Sequence, residues 1–154
     1  MRKFMLVAVG MLSAAVVMPA RAQGSLAGTW NTSVDVGMRI ENGVETSMGK
    51  RPAVMTLTVK GDSVLGTWTL PADGSSPAVP PNPLRGTRVG NKVTLKADPI
   101  ERSRNINGET QLVKLVNSFA FELKGDSLVG TSKVSALDGS FESSDREFLA
   151  KRKM

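Results

Sequence analysis

Two nine-residue stretches of this chain are near copies of each other. Val59-Lys60-Gly61-Asp62-Ser63-Val64-Leu65-Gly66-Thr67 returns as Leu123-Lys124-Gly125-Asp126-Ser127-Leu128-Val129-Gly130-Thr131. Each sets a Gly-Asp pair between runs in which apolar and polar residues alternate. That pair is a strong signal for a two-residue β-hairpin turn, and the alternation is the two-residue period of a strand with one buried face. The first turn predicts that Lys60 faces Ser63, Val59 faces Val64, Leu57 faces Gly66 and Met55 faces Trp68. The second predicts Leu123 opposite Leu128, Phe121 opposite Gly130 and Phe119 opposite Ser132. In both hairpins this register gathers the apolar side chains on one face, and a slip of one residue would turn them all to water.

The same grammar extends along the chain. Gly90-Asn91 makes a third tight turn, between Leu84–Val89 and Lys92–Ala97, with Val93 and Leu95 inward and Arg88 as a charged exception. From Ser25 the period is again two, with Leu26, Gly28, Trp30, Thr32, Val34 and Val36 on one face. Asn42-Gly43 reads as a hairpin tip between Met38–Glu41 and Val44–Ser47. Pro71 to Pro83 holds five of the eight prolines and predicts an irregular loop. Pro99 to Gly108 reads as a polar connection, and Asp138-Gly139 as the turn into the last strand. No helical period occurs beyond the first twenty residues. The prediction is an all-β antiparallel up-and-down barrel of about eight strands, which leaves no exposed sheet edge. A β-sandwich is the alternative. In a meander the turns alternate between ends, so the three tight turns share a narrow end with both termini. The other connections share a loop-rich end.

Residues 1–22 have the layout of a secretory signal peptide. Arg2 and Lys3 are followed by an uncharged apolar run from Phe4 to Met18, then Pro19 and the small residues Ala20 and Ala22 around Arg21. The run is shorter than the roughly 20 residues a spanning helix needs. The expectation is therefore a periplasmic or secreted protein with one domain over 23–154 and no integral membrane insertion after cleavage. An outer-membrane barrel is disfavoured because the outward positions are Thr, Lys, Glu and Ser and no Tyr is present for an aromatic girdle. Loss of Arg2, Lys3 and Arg21 takes the 20 basic residues to 17 against 14 acids, so the net charge falls from +6 to about +3. That mild, scattered charge argues against nucleic acid. The chain has no Cys, His or Tyr, which removes disulfides, thiolate sites, His-based metal sites and Ser-His or Cys-His nucleophiles. No cofactor, metal or catalytic residue is expected. The best remaining carboxylates, Asp145, Glu147 and Glu122, read as a solvated face. Asn31-Thr32-Ser33 matches a glycosylation sequon but falls inside a strand.

Gly28-Thr29-Trp30 on the first strand resembles the Gly-x-Trp of lipocalins and the Gly-Thr-Trp opening of avidins. Arg152, near the end of the last strand, is similar to the lipocalin arginine that packs over that tryptophan at the closed end. The resemblance implies a calycin-type barrel, lipocalin-like in architecture, with Trp30 and Arg152 as structural residues of the barrel floor joined by a cation–π contact. It implies no ligand: avidin-like biotin binding calls for a tyrosine, and lipocalin disulfides are missing too. The pattern Leu/Val-x-Gly-Thr, which occurs four times, also resembles uncharacterised secreted bacterial barrel domains.

The inward set Val34, Met55, Leu57, Trp68, Phe119 and Phe121 is the candidate lining of an apolar cavity, with Trp68 foremost. An eight-stranded barrel either fills its interior or holds one small ligand. Arg39, Lys50, Arg51, Arg102 and Arg104 fall in the predicted connections and would ring the loop-rich end with positive charge. The functional expectation is an exported, non-catalytic binding protein carrying a small apolar or acidic amphiphilic ligand in the barrel. The alternative is a periplasmic protein-interaction module, an inhibitor or accessory subunit, with a filled barrel and an unknown periplasmic protein as partner.

Overall fold

The structure, a computed structural model, describes residues 25–36, 38–42, 44–106 and 109–154. The predicted signal segment lies outside the described residues. Eleven strands follow one another among those described: β1 (Gly28–Asp35), β2 (Met38–Glu41), β3 (Val44–Ser47), β4 (Lys50–Lys60), β5 (Ser63–Leu70), β6 (Val79–Val89), β7 (Lys92–Ala97), β8 (Ile100–Ile106), β9 (Glu109–Lys124), β10 (Ser127–Ala136) and β11 (Arg146–Arg152). No helix is found among the described residues.

Eight of these strands close a barrel. β1 pairs with both β11 and β4, and the ring continues through β5, β6, β7, β9 and β10 back to β11, every pair antiparallel. The fold is therefore the up-and-down barrel read from the alternation. The turn-based register is also observed. Leu57 faces Gly66, Met55 faces Trp68, Phe121 faces Gly130 and Phe119 faces Ser132. The three tight turns each carry a glycine at φ 60, at Gly61, Gly90 and Gly125, the left-handed conformation that a mirror-type hairpin requires.

Two excursions leave the barrel at its loop-rich end. β2 and β3 form a separate hairpin between β1 and β4. β8 pairs with the first half of β9, from Ile100 opposite Leu115 to Ile106 opposite Glu109, while β7 pairs with the second half. The long β9 thus carries a two-stranded arm past the rim. This corrects the reading of Pro99–Gly108 as an irregular connection. Glu101, Arg102 and Ser103 are exposed, although Val113 on the paired stretch of β9 is buried, and polarity alone does not distinguish a solvated strand from a loop. The Pro-rich segment is corrected in part. Strand β6 begins at Val79, so Pro80, Pro81 and Pro83 lie in a strand. Pairing with β7 begins only at Leu84, so the proline-bearing half has no β7 partner and its missing N–H donors cost little. Likewise Lys50 and Arg51 belong to β4, and Arg102 and Arg104 to β8, not to connections; Arg39 lies in β2.

Candidate functional site

The six residues expected to line a cavity come together, and they come together as packing. Met55, Leu57, Trp68, Phe119 and Phe121 are all buried in one core with Trp30, Leu84, Leu95, Leu128 and Phe148, and Val34 packs half-buried against it. The rings of Trp68 and Phe119 stand 5.0 Å apart between centroids, Phe119 and Phe148 5.3 Å, and Phe121 and Phe148 5.5 Å. These are the tilted and edge-on spacings of favourable aromatic pairs. Phe148 was not singled out from the sequence, although it sits at the right alternation on the last strand. The repeated motif places Gly66, Gly86 and Gly130 where the neighbouring strand leaves no room for a side chain. A Cβ there would lie 2.2 Å from the Thr56 carbonyl oxygen, 1.8 Å from that of Thr94 and 2.0 Å from that of Ala120. The register sets each glycine against Leu57, Leu95 or Phe121, so small against large occurs at one level of the barrel.

At the narrow end Trp30 is fully buried, and its indole N–H donates to the Leu26 carbonyl at 3.1 Å. The Arg152 guanidinium lies 4.2 Å from the centre of the Trp30 ring. Its Nη1 donates to the Ala27 carbonyl at 3.1 Å, its Nη2 to the Ser25 carbonyl, and its Nε to Asp126 Oδ1 at 3.3 Å. Gly28 makes room for this: at φ 135, a Cβ would stand 2.8 Å from Arg152 Nη1. The Gly-x-Trp spacing thus has a steric reason in this chain, because the tryptophan supplies the surface and the glycine the space for one guanidinium.

The loop-rich end is also capped by an arginine. Arg51 enters the barrel opposite Val34 and is only 7% exposed. Its Nη2 donates to the carbonyls of Pro71 at 2.9 Å, Ser76 at 3.4 Å and Pro77, and its Nε lies 3.4 Å from Asp73 Oδ2. Asp73 Oδ1 in turn accepts from the N–H and hydroxyl of Ser75 and the N–H of Ser76. The Ser75 hydroxyl above all, with the two backbone donors and Arg51, holds the Asp73 carboxyl below its ordinary range. The loop after β5 is thereby folded around Arg51. Arg51 was expected on a solvated rim; in the structure it is an internal anchor. Nothing in the local sequence pattern connects it to a loop twenty residues away.

What remains exposed at this end is apolar in several places. Val44, Met48, Leu112 and Leu137 are each more than half exposed. The Leu137 N–H donates to the Lys114 carbonyl at 2.8 Å, which sets the turn after β10 beside the projecting arm. On the outer wall, a shallow concavity of about 850 Å3 crosses β6, β7, β9 and β10. Of its cations Arg85, Lys96 and Lys133, Arg85 is tied to Asp98 at 2.7 Å and Lys133 to Glu142 at 2.8 Å. Asp145 and Glu147 are exposed, and Asp145 precedes β11. Among the described residues no group of three or more metal-ligating side chains occurs.

The closed eight-stranded antiparallel barrel, with its floor tryptophan under a last-strand arginine, is consistent with a calycin-like fold. Comparison with known proteins returns no match: no family model, curated protein or solved structure aligns significantly with the chain.

Proposed function

We propose that this chain is an exported, non-catalytic protein-interaction module of the lipocalin and avidin type. In this reading a filled barrel serves as a rigid scaffold, and the loops and arm at its open end engage a periplasmic protein. The observation that carries the reading is the interior. The side chains best placed to receive a ligand pack on one another, and Arg51 with the loop it holds covers the way in. A scaffold of this kind leaves recognition to the loops it positions. The exposed Leu112 and Leu137, on the arm and the neighbouring turn, supply apolar surface of the kind that marks interaction sites.

Carriage of an apolar or acidic amphiphile inside the barrel is the competing reading, and one pair of measurements separates the two. Protein isolated from its own host is analysed by native mass spectrometry, and a photo-crosslinker is placed at position 112, 137 or, as control, the outward Thr58. The interaction reading expects no bound small molecule and one protein adduct from 112 and 137 that is missing from 58. A stoichiometric co-purified lipid, or equal adducts from all three positions, overturns it.

A further inference from the structure

A second recess, of about 360 Å3, opens at the narrow end, far from the proposed interaction face. Val59, Asp62, Arg88, Asn91 and Leu123 are in its lining, with Ser25 from the segment before β1. Arg88 is the inward charge that the alternation marked as an exception. It sits in the inward row of β6, opposite the buried Val93, and is half-buried. Its backbone N–H is used, donating to the Asp62 carbonyl at 2.9 Å. Its guanidinium has no carboxylate within ion-pair distance and no hydrogen-bond partner among the described residues. The contrast with its neighbours is sharp: Arg51, Arg85 and Arg152 each hold an aspartate at 3.4 Å or less.

We infer that this recess is a binding site for a small monocarboxylate, with Arg88 taking the carboxylate and the half-buried Val59 and Leu123 taking a short apolar tail. Arg88 is half-buried with no acid paired to it, and an anion in the recess supplies its guanidinium with partners. The planar fork of arginine matches a carboxylate with two parallel hydrogen bonds. Asp62 at the rim adds a negative charge that a singly charged ligand tolerates and a doubly charged phosphate tolerates less. At about 30 Å3 per small group, the volume admits roughly ten non-hydrogen atoms, the lower end of small-molecule sites. The site is built by the turns after β4 and β6 and the segment before β1, so it is independent of the open end.

The test uses isotope-labelled protein isolated from the producing cell, titrated with hexanoate and benzoate, with their neutral amides, and with inorganic phosphate. The methyl signals of Val59, Val93 and Leu123 are followed by NMR. Both carboxylates are expected to move these signals saturably, with the amides and phosphate at least tenfold weaker. Arg88→Gln is expected to weaken hexanoate at least tenfold, while Arg85→Gln on the outer wall leaves it unchanged. Amides binding as well as acids, phosphate preferred to both, shifts confined to the open end, or a folded Arg88→Gln with unchanged affinity each overturn the assignment. The acid-against-amide comparison needs no variant, so it decides the question even where Arg88→Gln does not fold. A failure here leaves the interaction reading of the open end untouched.

Discussion

Replacing Arg152 by alanine removes a side chain that ties the first strand, the last strand and the β9–β10 turn together. Its contributions can be estimated one at a time. The stacking on Trp30 at 4.2 Å contributes about 1 kcal/mol. The bonds from the guanidinium to the carbonyls of Ala27 and Ser25 are charge-assisted and contribute about 1.5 kcal/mol each at the low end of their range. Asp126, whose side chain is 83% exposed, adds little. The expected loss is about 4 kcal/mol, a large share of the 5–15 kcal/mol that ordinarily stabilises a domain. With a urea m-value of about 2 kcal/mol/M, the midpoint drops by about 2 M. Arg152→Lys keeps the charge, loses the fork and is expected to cost about half as much. Gly28 makes the reasoning refutable through a double-mutant cycle. Gly28→Ala carries backbone strain at φ 135 of about 1–3 kcal/mol in any background. Only when Arg152 is present does it also collide with Nη1, at 2.8 Å. Gly28→Ala should therefore cost at least about 1 kcal/mol less in the Arg152→Ala protein than in the parent. Strictly additive effects, or an Arg152→Ala midpoint within about 0.3 M of the parent, would show that the floor is not organised around this contact.

Three further outcomes are expected. Gly130→Ala should cost about 3 kcal/mol by urea unfolding, because its Cβ meets a neighbouring carbonyl; Gly61→Ala, where nothing lies within 4 Å, should cost only the 1–2 kcal/mol (roughly) of a left-handed turn residue. Phe119→Ala should cost about 4 kcal/mol and shift the Trp68 emission to the red, since Phe119 packs at 5.0 Å from that ring; an unchanged emission would mean the aromatic cluster is not continuous. Acidification should release the loop after β5. Because folding lowers the Asp73 pKa, the carboxylate's contribution is complete above its ordinary value of 3.8 and disappears as pH falls through the lower folded value. Amide exchange at Ser75 and Ser76 should rise over that interval, and Asp73→Asn should abolish the pH dependence; equal behaviour of the two proteins refutes the linkage.

The hairpins were legible in the chain because their information is local. A Gly-Asp pair specifies a left-handed turn, the turn specifies the register, and the register specifies which of Met55, Leu57, Phe119 and Phe121 share a face. Closure removes the edges such strands would expose, but the same alternation also suits a β-sandwich, and the pairing of β1 with β11 decides between them. The floor contact of Trp30 and Arg152 was legible through resemblance, while its dependence on the space at Gly28 needed coordinates. Alternation reports a side of the sheet and says nothing of the distance across it. Whether Trp68 and Phe119 enclose a space or touch is decided by how far apart opposite walls stand, which only the closed barrel fixes, at 5.0 Å between the two rings. Arg51 and Arg88 show the same division. Both were inward or rim charges in the one-dimensional pattern. Only the folded chain brings Asp73 and three loop carbonyls to the first while leaving the second facing a recess with no carboxylate at ion-pair distance, because such partners come from segments that sequence distance does not relate.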